Sequence, residues 1–338
     1  MKAALLRAPG QLDLVEAPRP VAGPRQALIR VRAAGICGSD VHAYRGSSAF
    51  QVYPAIPGHE VAGEVVDLGT EAASLAVGDH VVLDPMVRCG HCYPCRTGRY
   101  NCCTSLKVMG VHADGGFAEY LAIDESHLHR ISAHVPFEIA ATVEPLCIAS
   151  QGVARGRVAE QDTVLVIGGG TIGLGCLLMA RQLGARVACV EPIPTKREIA
   201  SQLGAELTID PQTQDTLEAV LCWTHGDGPN VVIEAVGRLA TIRLALDCVS
   251  SAGRVVLIGI TPEDVPFPIP LLIRKELDVV ASRNSREQFP KVIALLENKD
   301  IDPAPLISQV FPFTSIHEAF RLLTEHPDQA RKVILTFG

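Results

Sequence analysis

The residues best suited to chemistry fall into three groups. The first is RCGHCYPCRTGRYNCC, from Arg88 to Cys103, which holds five of the chain's eleven cysteines. Cys89, Cys92 and Cys95 have C-x2-C-x2-C spacing, and Cys103 follows eight residues later. Four thiolates in one short loop can close a tetrahedral zinc site, which is saturated and therefore serves structure. A redox relay and disulfides are the competing uses of such a cluster, and Cys102 could replace Cys103. The second group is scattered: Cys37 in GICGSDVH, His59 and Glu60 in PGHEVAGEV, and Glu144 in TVEPLCIAS. An unpaired carboxylate in the apolar setting of Glu144 is costly, and a bound cation would remove that cost. Taken singly, a core thiol, a satisfied histidine and exposed acids explain these residues as well as a metal centre does.

The third group tips that balance. Gly168, Gly170 and Gly173 form G-x-G-x-x-G after the apolar run VLVI. In a dinucleotide turn the first glycine permits the tight bend. The second lets the backbone approach a pyrophosphate, and the third lets helix and strand pack closely. The phosphates sit at the helix N-terminus, where free N–H groups and the dipole favour anions. Glu191 closes RVACVE at the place where an acid bonds both ribose hydroxyls and repels a 2′-phosphate, which favours NAD. Lys196 and Arg197 follow closely and keep NADP open.

These groups need elements to hold them. From position 163 to position 282, apolar strands (TVLVIG, RVACVE, LTID, NVVIEAVG, RVVLIG, DVVAS) alternate with helix-like segments, the pattern of a parallel sheet covered on both faces. The first third instead shows short strands between glycines and prolines, at 26–35, 60–69, 79–84 and 117–124, which suggests a β-rich barrel or sandwich. Residues 137–156 have helical spacing and link the two parts. The tail adds two helix-like stretches, EQFPKVIALLENK and IHEAFRLLTE, and a strand, KVILTF.

With 338 residues, of which 48% are hydrophobic and 20% charged, the chain can bury about two cores and is not disordered. Its net charge of −7 speaks against a nucleic-acid partner. The uncharged run 163–180 holds five glycines, so it reads as strand, turn and helix rather than as a membrane span. An odd cysteine count in a long chain, behind a start without a signal-peptide core, fits a reducing cytoplasm.

GICGSDVH, PGHEVAGEV, the four-cysteine lobe, GGFAEY, VEPL and IGGGTIG occur in this order, and over essentially its whole length the chain resembles the zinc-dependent medium-chain dehydrogenase/reductases. Within them it is similar to the polyol, threonine and sugar-acid dehydrogenase branch, because Glu144 stands where liver-type alcohol dehydrogenases use cysteine. TGRYNCC, VMGVHADGGFAEY and SRNSREQF look most like the L-galactonate/L-gulonate-type sugar-acid dehydrogenases. The resemblance implies an α/β protein: a GroES-like catalytic domain at 1–150, completed by 286–338, and a Rossmann NAD-binding domain at 151–285. It implies two zinc ions per subunit. Cys37, His59 and Glu144 would hold the catalytic one, with Glu60 a ligand directly or through water, and Cys89, Cys92, Cys95 and Cys103 the structural one. Asp40 matches the carboxylate that orients the zinc histidine, and Ser39 and His42 match the proton relay. Gly168, Gly170, Thr171, Ile172, Gly173, Glu191, Arg197, Val236, Ile260 and Arg283 are the expected cofactor contacts.

The implied reaction is reversible oxidation of a secondary alcohol to a ketone with NAD, on a sugar acid such as L-galactonate or L-gulonate. Arg283 and Asn284 follow the last Rossmann strand, where relatives place cofactor or substrate contacts, and an arginine grips a carboxylate with two parallel bonds. Phe50 and His112 are further candidates for the pocket. A polyol or L-threonine dehydrogenase is the alternative within the enzyme class. A zinc-binding regulatory protein and a thiol redox sensor are the alternatives outside it. The expected partners are a small polyhydroxy alcohol or sugar acid and further copies of the chain, as a homodimer or homotetramer paired through an exposed sheet edge, RVVLIG or DVVAS. No nucleic acid and no membrane are expected.

Overall fold

Alternating valine, isoleucine and alanine in QALIRVRAAGI make Gln26–Ile36 a strand buried along most of its length. It sits inside a seven-stranded sheet in the computed structural model, which describes residues 1–48 and 50–338. On one side it pairs antiparallel with Glu60–Leu68, placing Gly35 opposite Glu60. On the other it pairs antiparallel with Lys332–Thr336, placing Val333 opposite Ile36. These two registers bring Cys37, Glu60 and Lys332 to one end of the sheet. His80–Leu83 and Leu128–Arg130 extend the sheet past Glu60–Leu68, and Ile307–Pro312 extends it past Lys332–Thr336. Phe117, Phe320, Leu6 and Ile29 are among the fully buried side chains packed in this part of the chain. This unit comprises Met1–Glu144, Phe289–Lys299 and Ile307–Gly338.

The second unit is Pro145–Gln288 with Asp300–Leu306. The sequence expectation carried 286–338 as one piece, whereas Asp300–Leu306 groups with the second unit. Its sheet has six strands, all parallel, in the spatial order Leu207–Ile209, Arg186–Val190, Thr163–Ile167, Val231–Glu234, Arg254–Leu257, Asp278–Ala281. The first strand in sequence, Thr163–Ile167, lies centrally and the order reverses there. That is the doubly wound arrangement, whose switch point opens a ligand crevice at the carboxyl ends of the strands.

Three expectations need correction. The single helix over 137–156 is two, Phe137–Ala140 and Val143–Arg155. Pro145 has no N–H to give to the preceding turn and its ring would clash there, so it is tolerated only in the first turn of a new helix. The strand expected over 117–124 begins at Tyr120. Of the two candidate sheet edges, RVVLIG lies inside the sheet, and Asp278–Ala281 forms the edge. The 163–180 run is the strand Thr163–Ile167, the glycine turn and the helix Thr171–Gln182, and among the described residues no helix is long and apolar enough to cross a membrane.

Candidate active site

Cys37 directly follows the strand Gln26–Ile36 and caps the helix Gly38–Arg45. Its N–H donates to Asp40 Oδ2 at 2.8 Å, which pulls the Asp40 carboxylate back over the helix start. The other Asp40 oxygen, Oδ1, stands 3.7 Å from His59 Nδ1. Both atoms are buried and neither has a hydrogen-bond partner. Cys37, His59 and Glu60 offer ligand atoms that all lie within 4.8 Å of one another. Glu144, in the first turn of Val143–Arg155, stands outside that trio but interacts electrostatically with His59 and Glu60.

The electrostatics of this cluster call for a cation. Burial pushes the Glu144 carboxyl up to about 7, and the neighbouring Glu60 charge adds to the rise. Burial likewise raises Asp40. Burial opposes the charged form of His59, yet Asp40, Cys37 and Glu144 outweigh it and hold the imidazole well above its usual range. Acids that gather around one imidazole and resist ionising together are the donors a divalent metal binds. The residues present therefore fit a metal centre.

Sequence reasoning missed Lys332. Its ammonium is buried, donates to both Glu60 oxygens at 2.6 Å, and reaches Ile36 O at 3.1 Å. Gly35 makes room for this pair, since a Cβ there would stand 1.9 Å from Glu60 Oε2. The one available signal was a lysine opening the apolar run KVILTF.

Ser39 and His42, three apart on Gly38–Arg45, share an exposed face of that helix, while Asp40 and Ala43 are buried. The His42 Nδ1 lies 2.9 Å from Ser47 Oγ. Phe50 is exposed, and His112 Nδ1 accepts from Val108 N at 3.0 Å.

Cys89, Cys92, Cys95 and Cys103 also converge within 4.8 Å, with Cys102 outside the group. Backbone N–H groups of Thr104 and Cys95 draw the Cys92 thiol down to about 5. Burial and the hydrogen bond with Cys92 push Cys95 up to about 12. Four sulfurs brought this close, with the Cys92 and Cys95 thiols held on opposite sides of the usual thiol range, form a donor set that also suits a metal. None of the eleven cysteines is in a disulfide.

In the second unit, Gly168 turns at φ +104, and Gly170 caps the helix Thr171–Gln182, whose first residues include Ile172 and Gly173. A Cβ on Gly173 would meet Gly168 O at 1.8 Å, whereas a Cβ on Gly170 would meet nothing within 4 Å. Gly173 is thus required by packing, and Gly170 faces open space. Glu191 is buried. Its Oε2 accepts from Gly169 N at 2.6 Å and its Oε1 from Ile193 N at 3.0 Å, so it braces the glycine turn. Arg197 donates to Glu191 O and Pro192 O and pairs with Asp210 at 3.2 Å. Val236 follows the strand Val231–Glu234, and Ile260 follows Arg254–Leu257 with 83% of its surface exposed. Arg283 is exposed, two residues beyond Asp278–Ala281.

This pairing of a β-rich metal-donor unit with a doubly wound unit defines a known class. Residues 23–133 match the alcohol dehydrogenase GroES-like domain, and residues 171–298 match the zinc-binding dehydrogenase domain. The chain belongs to the zinc-dependent medium-chain dehydrogenase/reductases and is a zinc-type alcohol dehydrogenase-like oxidoreductase. Its cofactors are zinc and a nicotinamide dinucleotide. It is 36% identical to the starvation-sensing protein RspB of Escherichia coli K12 over 340 residues, covering 100% of both chains. It is 33% identical to the L-galactonate-5-dehydrogenase of the same organism, covering 100% of this chain and 99% of that one. The crystal structure of an alcohol dehydrogenase (rspB) from E. coli CFT073, complexed with NADH, superposes with a TM-score of 0.94 at 35% identity, over 100% of this chain and 99% of that one.

Proposed function

We propose that the enzyme oxidises a secondary alcohol of a sugar acid, of the L-galactonate or L-gulonate kind, reversibly to the ketone with NAD. The observation that carries the chemistry is the convergence of donor atoms of Cys37, His59 and Glu60 within 4.8 Å, beside a Glu144 carboxyl that burial pushes up to about 7. Cys37, His59 and Glu144 would hold the catalytic zinc, with Asp40 orienting His59 and Lys332 restraining Glu60. Cys89, Cys92, Cys95 and Cys103 would hold a second, structural zinc. When bound, the catalytic zinc supplies Lewis acidity toward the alcohol oxygen, and the nicotinamide accepts the hydride. Ser39 would accept the alcohol proton as it releases its own hydroxyl proton toward His42, which would pass it to solvent, an imidazole being able to carry a proton near neutral pH.

In the second unit, Gly170 leaves backbone space for the pyrophosphate, and the exposed Val236 and Ile260 offer apolar surface to the cofactor. NAD is favoured over NADP because Arg197 is already engaged by Asp210 and two carbonyls. The Glu191 carboxylate, with further lone pairs beyond the two turn contacts, adds a negative charge where a 2′-phosphate would lie. Eleven cysteines, none of them in a disulfide, suit a reducing compartment such as the cytoplasm. The edge strand Asp278–Ala281, which has no partner strand on one side and lies near the exposed Ile273, suits pairing with a second copy in a homodimer or homotetramer.

The sugar-acid assignment rests on Arg283 as carboxylate grip and on the likeness to L-galactonate-5-dehydrogenase. The test is NADH formation by the zinc-loaded enzyme across L-galactonate, L-gulonate, other aldonates, sorbitol, galactitol, L-threonine and 2,3-butanediol. Turnover confined to aldonates, with Arg283→Ala raising their KM by about tenfold or more, is the expected result. Turnover of polyols or threonine, or an unchanged KM in the variant, would discard the carboxylate reading and keep the zinc dehydrogenase.

A further inference from the structure

The helix that carries Ser39 and His42 ends in a Schellman turn. Gly46, at φ +73, donates its N–H to Ala43 O at 3.0 Å, and Ser47 donates its N–H to His42 O at 2.9 Å. The neighbouring carbonyls are tied down as well. Tyr53 Oη donates to Ala43 O at 2.5 Å, and Gly10 N donates to Tyr44 O at 2.7 Å. Gly46 has no substitute here, because a Cβ would stand 2.9 Å from Pro9 and the backbone is left-handed. The end of the helix is therefore fixed, and it delivers the Ser47 hydroxyl to the His42 ring. Ser47 Oγ lies 2.9 Å from His42 Nδ1 and 3.4 Å from His42 O.

A hydroxyl has one proton and two acceptor lone pairs. The His42 carbonyl is an acceptor only. With the Ser47 proton turned toward it, the Ser47 oxygen offers Nδ1 a lone pair, so Nδ1 must be the donor. The opposite arrangement, with the hydroxyl donating to Nδ1, would put the ring proton on Nε2 and leave the imidazole's one lone pair, on Nδ1, already engaged by Ser47.

We propose that Ser47 is a positioning residue that holds neutral His42 as the Nδ1–H tautomer and keeps Nε2 as its proton acceptor. The step balances simply: an O–H bond of the relay donor breaks, an Nε2–H bond forms, and the same proton leaves from Nε2 to water. The imidazolium formed in between keeps its Nδ1–H on Ser47 without rearrangement. The function of the contact rests on the relay reading of His42 given above; the tautomer itself does not.

The test is two-bond 1H–15N correlation spectroscopy on the zinc-loaded enzyme carrying 15N-histidine, at alkaline pH. The His42 signals are assigned by their loss in His42→Asn. The expected wild-type pattern is Nδ1–H. Ser47→Ala, which keeps the backbone cap, is expected to revert to the Nε2–H form that free imidazole side chains favour, and Ser47→Thr to retain Nδ1–H. A wild-type Nε2–H pattern, or one unchanged in Ser47→Ala, overturns the proposal. The wild-type spectrum alone decides this if the alanine variant does not fold. Turnover of whichever panel alcohol is oxidised should fall on the order of tenfold in kcat in Ser47→Ala, with KM little changed and recovery in Ser47→Thr. A tautomer switch with unchanged kcat would overturn the relay reading of His42 while the tautomer assignment stands.

Discussion

At the scale of single residues, Glu60 and Lys332 form a buried ion pair at 2.6 Å. Removing one partner of such a pair leaves an uncompensated charge in the interior, which costs about 3–5 kcal/mol, whereas removing both costs much less. Lys332→Met should therefore lower the urea-unfolding free energy by about that amount, and Glu60→Gln/Lys332→Met should recover a good part of it. A double variant no more stable than Lys332→Met would show that the two charges are not coupled. Cys37, His59 and Glu60, whose donor atoms the fold draws within 4.8 Å of one another, stand out in the sequence because a thiol, an imidazole and an acid of metal-ligating type are each worth explaining. Lys332 was not legible, because its partner lies 272 residues away and only the register of three strands brings them together. The brace that Glu191 gives Gly169 was hidden for a related reason: spacing locates the acid at the end of its strand but does not say which way its oxygens turn.

At the scale of elements, the glycine turn separates two uses of one residue type. Gly173 is demanded by its own fold, with a would-be Cβ 1.8 Å from Gly168 O, and Gly170 is not. Gly173→Ala should lower both thermal stability and NADH affinity. Gly170→Ala should leave the melting temperature unchanged and weaken NADH by about tenfold or more, because the added methyl occupies space meant for the ligand. Titration of NADH fluorescence alongside thermal melts checks both, and wild-type affinity in Gly170→Ala would remove that glycine from the cofactor site. The parallel sheet was readable because continuous apolar runs alternated with helical segments, and Asp278–Ala281 did prove to be its sixth strand. The strands Lys2–Ala8 and Gln11–Glu16 passed unnoticed, since only part of each is buried and their alternation is weak. The helix break at 141–142 follows from Pro145, a residue visible in the sequence whose consequence had not been applied.

At the scale of the whole molecule, the six-stranded sheet leaves Asp278–Ala281 without a partner strand on one side, where Ala281 O accepts from Arg155 Nε at 3.1 Å, and Ile273 close by is 74% exposed. An apolar side chain this exposed beside an unpaired strand suits a symmetric contact with another copy. If the proposed homodimer or homotetramer pairs through this edge, Ile273→Glu should convert it to monomer in light scattering after gel filtration while leaving NADH binding intact. An unchanged mass would move the subunit contact elsewhere. The two-part organisation was legible from the change of rhythm near position 163. The return of the chain's last strand into the first sheet was only partly so, because KVILTF reads as a strand without revealing its neighbours.

That returning strand imposes an order of events on a chain made from one end to the other. Cys89 and Cys103 are 14 residues apart, so the lobe's four thiols are complete while most of the protein has yet to be made. Glu60 must wait for Lys332, 272 residues later, before its charge has a counter-ion. A ribosome-bound chain can thus gather the four lobe thiols early. The cluster around His59 takes its final form only once the last strand has emerged and zipped alongside Gln26–Ile36.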